Sequence, residues 1–144
     1  MKLSMLMWLA SVLPQPLADQ TCLATTVYLE ARSEPANGQF AVAEVALRRR
    51  ERGLWGDTVC EVVKSPRQFA ITTAPHSFDI TNLDAFNKAW KIAGESINNW
   101  SLPIAERRLL VPNADHFATV DVAPNWSRNR PGTTIGEHTF YRVN

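Results

Sequence analysis

The sequence has almost no charge imbalance. Fifteen Lys and Arg face fourteen Asp and Glu, for a formal net charge of +1. Proteins that bind nucleic acid carry a basic excess or stripe to meet the phosphates, so no nucleic-acid partner is expected. Arg48, Arg49, Arg50 and Arg52 do cluster, but Glu44 and Glu51 sit among them. That pattern predicts the solvated end of a helix. No apolar run approaches the roughly 20 residues that a spanning helix needs, so no stable membrane span is expected. Histidine and cysteine are scarce, at three and two. Neither a His-Glu-x-x-His pair nor a Cys-x-x-Cys pair occurs. No metal site is therefore expected. A zinc site from His76, His116, His138, Cys22, Cys60, Asp115 and Asp121 stays only a formal alternative. The strand-to-helix Gly-x-Ser-x-Gly turn of serine hydrolases is also missing. There are no internal repeats and no low-complexity tracts, and 144 residues suit one domain.

The first residues read as an address. Lys2 supplies a positive start, an apolar run covers 3–13, and Pro14, Pro16 and Ala18 follow. This is the charged, apolar, small-residue order of an export signal, expected over 1–18 with the catalytic domain over 19–144. The alternative is an ordinary buried N-terminal helix. Cys22 and Cys60 are an even pair in a chain read as exported, so a disulfide between them is expected. Two buried free thiols are the alternative.

Apolar spacing at Leu23, Val27 and Ala31 predicts a helix over 19–33 with Asp19 as its N-cap. Pro35 ends it. A second helix is expected over 38–52 and closed by Gly53; it is apolar enough to be the central core helix. Asp57 or Thr58 starts a short helix, and 65–77 is irregular. A third long helix spans 83–100. Strand-like runs occupy 116–122 and 138–143, with a Pro-, Asn- and Gly-rich loop over 123–136 between them. The class is α+β: a helical first half, then a small sheet or hairpin.

Glu30 is the only charge among apolar and small residues until Arg32. Desolvation raises the pKa of such a carboxylate, which suits a general acid near neutral pH. Glu34 lies four residues on, and a pair of carboxylates is what glycoside hydrolysis uses. Pro35 interrupts the register, so Glu34 need not face Glu30, and a turn or capping role is the reading favoured over a catalytic one. Trp126 sits in a polar loop and serves either as a platform for a sugar ring or as a loop anchor.

Six ordered blocks resemble one family. The first runs through Cys22-Leu23-Ala24, Tyr28-Leu29-Glu30-Ala31-Arg32-Ser33-Glu34-Pro35 and Gly38-Gln39-Phe40-Ala41-Val42-Ala43. Asp57-Thr58-Val59-Cys60, Gln68-Phe69, Ala114-Asp115-His116-Phe117, Pro124-Asn125-Trp126 and Ile135-Gly136-Glu137-His138 follow. Together they resemble the cell-wall hydrolases typified by the spore cortex-lytic enzyme SleB and its relative CwlJ, a family that also occurs in phage lysis proteins. The resemblance implies a lysozyme-like α+β fold with no cofactor. It implies cleavage of peptidoglycan glycan strands between MurNAc and GlcNAc by a monomer in the periplasm or cell wall. The family's catalytic glutamate corresponds to Glu30. Tyr28, Glu34, Gln39, Gln68, Phe69, His116 and Trp126 are then the expected substrate contacts. A lytic transglycosylase needs one carboxylate; a hydrolysing muramidase needs a second, such as Glu34, Asp115 or Asp121. A zinc amidase and a non-catalytic wall-binding protein are the remaining alternatives. Ser33, Arg48, Phe117 and Ala118 depart from the family pattern, which usually has Gly, Asn, Tyr and His there.

Overall fold

The computed structural model describes residues 1–144. Five helices precede a small sheet. They are α1 (Leu3–Val12), α2 (Leu17–Ala31), α3 (Ala36–Arg52), α4 (Val59–Lys64) and α5 (Leu83–Trp100). The strands are β1 (His116–Thr119), β2 (Gly132–Ile135) and β3 (His138–Tyr141). The α+β arrangement read from the sequence is the one observed.

The central element is α2, not α3. Every residue from Thr21 to Tyr28 is buried, and α2 packs against α1, α3, α4 and α5. Its small residues, Ala24 and the three threonines, let neighbours approach on all sides. Thr21 and Thr25 satisfy their hydroxyls on the carbonyls of Leu17 and Thr21, four residues back, at 2.8 and 2.7 Å. Asp19 does not cap α2, which starts two residues earlier. Its carboxylate instead accepts the Val59 N–H at 2.9 Å and pairs with Arg50 at 3.1 Å, tying α2 to α4 and α3. The N-cap of α4 is Thr58, whose hydroxyl accepts the Glu61 N–H. Gly53 closes α3 at φ 66°, a left-handed position that glycine occupies without strain. The amphipathic α5 has the bounds its periodicity predicts and buries Phe86, Ala89, Ile92, Ala93 and Trp100.

The apolar run of the N-terminal segment forms α1. Leu3, Leu6 and Ala10 join the core, and the Leu3 N–H donates to Phe78 O at 2.9 Å. Met5, Trp8 and Val12 stay exposed. No helix is long and apolar enough to cross a membrane.

The sheet is antiparallel in the order β1–β3–β2, with Phe117 opposite Phe140 and Thr133 opposite Phe140 on the other side. The strand β2 lies inside the segment expected to be loop. Its four residues are almost wholly exposed, so no apolar alternation marked it. In β3, His138 and Phe140 point into the core while Thr139 and Tyr141 do not.

The arginine cluster on α3 is the largest departure from expectation. Arg48 and Arg49 are 6% and 3% exposed rather than solvated. Arg48 donates to the carbonyls of Val111 at 3.2 Å and Ala114 at 2.7 Å, and pairs with Glu44 at 3.0 Å. Glu44 in turn accepts the N–H groups of Leu110 and Val111. Arg52 pairs with the fully buried Asp115 at 2.7 Å. Asp115 also accepts the N–H groups of Val143 and Asn144, at 2.7 and 2.9 Å. These bonds seat the C-terminal third on α3.

Cys22 and Cys60 form the expected disulfide, which joins α2 to α4 across 38 residues. Closing a loop of that length stabilises the fold by roughly 3–4 kcal/mol in the loop-entropy model. Replacing both cysteines by alanine should lower the unfolding free energy by about that amount. Urea unfolding followed by circular dichroism checks it, and an unchanged midpoint would show that the bridge adds nothing.

Candidate active site

Glu30 sits in the last turn of α2, where the helix emerges from the core. Its carboxyl is largely enclosed, and burial raises its pKa above the usual glutamate value. One oxygen accepts the backbone N–H of Ala70, a contact that lowers the pKa but does not cancel the effect of burial. Ala70 opens a short 3-10 turn, Ala70–Thr72, which packs on α2. A second acid therefore has no part in raising the Glu30 pKa; enclosure alone does so.

The chain beside Ala70 is held in place by Arg49. Its guanidinium donates to Gln68 Oε1 at 3.0 Å and to the Asp115 carbonyl at 2.7 Å. Its Cζ lies 4.3 Å from the Trp55 ring centroid and 5.0 Å from that of Phe69. Burial brings the Arg49 pKa down to about 10, with Asp115 opposing the shift, so it stays a cation at neutral pH. Phe69 meets Phe117 of β1, with ring centroids 5.9 Å apart. Phe117 thus links the sheet to the segment that carries Ala70.

A second group of rings stands on the sheet. His116 lies between Trp55 and Trp126, with centroid distances of 5.9 and 4.9 Å, and Trp126 meets Tyr141 at 5.5 Å. Half-buried Trp126 is both anchored and partly presented. His116 Nδ1 lies 2.9 Å from Asp115 Oδ1. Burial lowers the His116 pKa despite that carboxylate, so the ring is neutral at pH 7. Burial would raise the Asp115 pKa, but bonds from His116, Val143 and Asn144 hold it below the usual value.

Several expected contacts lie elsewhere. Tyr28 is 2% exposed and packs on Phe86, and Gln39 is 1% exposed and donates to Glu34 O. Both are enclosed in the core, with no surface left for a substrate. Because α2 ends at Ala31, the chain turns first, and Glu34 points into the β2–β3 turn. There its Oε1 accepts the Glu137 N–H at 2.8 Å and lies 3.1 Å from His138 Nδ1. A Cβ on Gly136, which has φ 59°, would stand 3.0 Å from both Glu34 carboxylate oxygens. His138 is kept below its usual pKa by burial, with Glu34 opposing. Gln68 and Phe69 meet Arg49, and Phe69 also meets Phe117, while His116 and Trp126 pack on each other beside Trp55 and Tyr141. Arg49 itself was missed, because a run of arginines carries no sign of which member is buried.

The three histidines remain apart. His116 pairs with Asp115, His138 faces Glu34, and His76 is exposed near α1. No group of three or more His, Cys, Asp or Glu side chains is placed to hold a metal ion.

Comparison with known proteins gives one answer. The family described as Cell Wall Hydrolase matches residues 33–141. A spore cortex-lytic enzyme of Oceanobacillus iheyensis is 35% identical over 124 residues, covering 85% of this chain and 41% of that protein. A spore cortex-lytic enzyme of Bacillus subtilis is 32% identical, with 37% of its length covered. The chain thus spans about two fifths of the curated relatives it matches. Among solved structures, the catalytic domain of the germination-specific lytic transglycosylase SleB from Bacillus anthracis superposes with a TM-score of 0.71 at 30% identity, covering 90% of this chain and all of that one. The catalytic domain of Bacillus cereus SleB gives 0.69 at 31% identity, with 86% and 89% covered.

Arg49 spans two acceptors and two rings at once, which a single ammonium cannot do. Arg49→Lys should destabilise the protein by about 1–3 kcal/mol. It should also speed hydrogen exchange at the Ala70 amide relative to amides in α5. Equal protection at Ala70 would show that Arg49 does not hold this segment.

Proposed function

The chain belongs to the cell wall hydrolase family, and from that premise we propose that it cleaves peptidoglycan glycan strands as a lytic transglycosylase with Glu30 as its acid and base. The observation that carries this reading is an enclosed carboxyl whose pKa is raised by burial. A raised pKa keeps Glu30 protonated closer to neutral pH, as donation to a leaving oxygen requires.

Protonated Glu30 donates its proton to the glycosidic oxygen as the bond to the MurNAc anomeric carbon breaks. Positive charge develops at that carbon and the ring oxygen. The C6 hydroxyl of the same sugar attacks the carbon, and ionised Glu30 accepts the hydroxyl proton. A 1,6-anhydro end forms on one side and a free GlcNAc hydroxyl on the other. One carboxyl serves both transfers and ends as it began.

A hydrolysing muramidase needs a second carboxylate to hold or replace the water. Glu34 is committed to the β2–β3 turn and His138, and Asp115 to Arg52, His116 and two backbone amides. Those commitments favour the single-carboxylate route. Gln68, Phe69, His116 and Trp126 are the residues assigned to the glycan, and half-buried Trp126 offers the partly open ring. The wall lies outside the cytoplasmic membrane, so this reading carries export with it. The charged, apolar, small-residue order of 1–18 supports that.

Glu30→Gln should lower strand cleavage by about 100-fold or more. Mass spectrometry of the soluble fragments should show wild-type ends lighter by one water than muramidase products. Fragments bearing that water would overturn the transglycosylase route, and undiminished cleavage by the variant would remove Glu30 from the mechanism.

The raised pKa also predicts how stability changes with pH. Folded Glu30 titrates above its unfolded value, so the unfolded chain ionises first as pH rises. Its contribution is complete below the ordinary glutamate range and is lost as pH rises through that range to the raised pKa. Glu30→Gln lacks this titration. Its Tm should equal or exceed that of the wild type at neutral pH, and the gap should close in acid. A gap that widens in acid would contradict the enclosed-acid description.

A further inference from the structure

Arg130 is an exposed cation with a fixed seat. Its Nε donates to Trp126 O at 2.7 Å, and its Nη1 donates to Arg142 O at 3.3 Å. Those bonds tie the 3-10 turn Asn125–Ser127 to the chain just past β3 and hold the guanidinium in one place. Arg130 forms no ion pair, whereas Arg48, Arg50, Arg52 and Arg107 each do. The rest of its planar fork of donors is thus free for an acceptor from outside the chain. An exposed arginine normally gives up side-chain freedom when it binds; this one is already ordered.

Two rings stand beside it. Trp126 and Tyr141 meet edge to face, with centroids 5.5 Å apart at 79°. Tyr141 leans on Gly132 of β2, where a Cβ would stand 2.8 Å from Tyr141 Cε1 and 2.6 Å from Thr139 Cγ2. Any side chain at 132 would push the ring off the strand. From Phe69, the residue before Ala70, contacts run unbroken to this pair. Arg49 touches Phe69 and Trp55, Trp55 meets His116, and His116 meets Trp126. Trp55, His116, Trp126 and Tyr141 each keep part of their surface open. Burial first, and then the charges of Arg49 and Arg130, lower the His116 pKa, which puts the Arg130 charge near that ring and leaves it the cation at this end. The track therefore starts beside the Glu30 carboxyl and ends on a fixed, unpaired guanidinium.

We propose that Trp126, Tyr141 and Arg130 form a subsite for an acidic sugar, in which the rings take the apolar face of a pyranose and the guanidinium takes a carboxylate carried on it. Resting on the reading of wall strands as substrate, this assignment adds which of their two sugars is read. GlcNAc carries no acid. The muramyl residue does, on its lactyl group when bare and on its peptide stem when substituted. The two sugars alternate, so seating a muramyl residue at one point fixes which glycosidic bond lies at Glu30. Arg130 thereby sets the register that puts the MurNAc anomeric carbon, not that of GlcNAc, beside the acid.

Calorimetric titration of the full chain carrying Glu30→Gln, which leaves the strand uncut, tests this. The probes are chitotetraose, a stem-free tetrasaccharide of alternating GlcNAc and MurNAc, and the same tetrasaccharide with peptide stems. Arg130→Gln should raise the Kd of one or both acidic probes about five-fold and leave that of chitotetraose unchanged. A loss with the stem-free probe assigns the lactyl carboxylate, and a loss with the stem-bearing probe alone assigns the stem. Methyl esters of the acidic probes should show the same loss with Arg130 intact, so the result does not depend on the variant. Tyr141→Ala should weaken all three probes alike, because stacking is indifferent to charge. Unchanged Kd values for both acidic probes, an equal loss with chitotetraose, full binding by Tyr141→Ala, or no saturable binding of either acidic probe would overturn the proposal. Strand cleavage by the chain with Glu30 intact is measured in parallel. Cleavage without Arg130-dependent binding overturns the subsite alone, and Arg130-dependent binding without cleavage overturns the Glu30 reading alone.

Discussion

Guanidinium groups at the end of α3, those of Arg48 and Arg49 buried and that of Arg52 partly exposed, hold the C-terminal third in place. Arg48 donates to Val111 and Ala114, Arg49 to the carbonyl of Asp115, and Arg52 to its carboxylate. Three strands of four residues have too little apolar face to be stable alone. A planar fork of N–H donors can meet several carbonyls at fixed angles, where an ammonium would meet them singly. The enclosed charges are tolerated because their donors find acceptors and because Glu44 and Asp115 lie against them. Removing one partner would strand the other in the interior, so the latch persists as a unit.

The same latch reaches the candidate site. Arg49 joins Asp115 below the sheet to Gln68 and Phe69, and the next residue, Ala70, meets Glu30. The carboxyl is thus enclosed by a segment that α3 positions from the other side. Two glutamates four residues apart show what this enclosure decides. Glu30 lies in the last turn of a largely buried helix, and its carboxylate accepts an amide N–H. Glu34 lies past the helix end and is drawn into a hairpin turn. Their chemistry differs because their surroundings differ, not because their residue type does.

Much of the frame was legible. The limits of α5 follow from an apolar stripe at helical spacing, and α3 ends where Gly53 permits a left-handed cap. The Thr58 cap and the Cys22–Cys60 bridge were readable from local chemistry and from an even cysteine count. Less legible were features whose cause lies far along the chain. The strand β2 has no buried face to give it alternation; it exists because β3 offers an edge. Tyr28 and Gln39 belong to a recurring motif, and a motif does not distinguish residues that touch a ligand from residues that pack behind it. Their burial shows the latter placement.

The sequence by itself determined the outlines of α2 to α5, the Thr58 and Gly53 helix ends, the α+β class and the one acid with an apolar neighbourhood, because each rests on residues within a few turns of one another. Tertiary structure alone decided which arginines are buried and which glutamate is committed to a turn. Those outcomes depend on partners far along the chain, such as Asp115, 63 residues from Arg52, and Glu137, 103 residues from Glu34. A carboxylate's pKa and a guanidinium's burial are set by the dielectric and the donors around them, and only the folded chain brings those together.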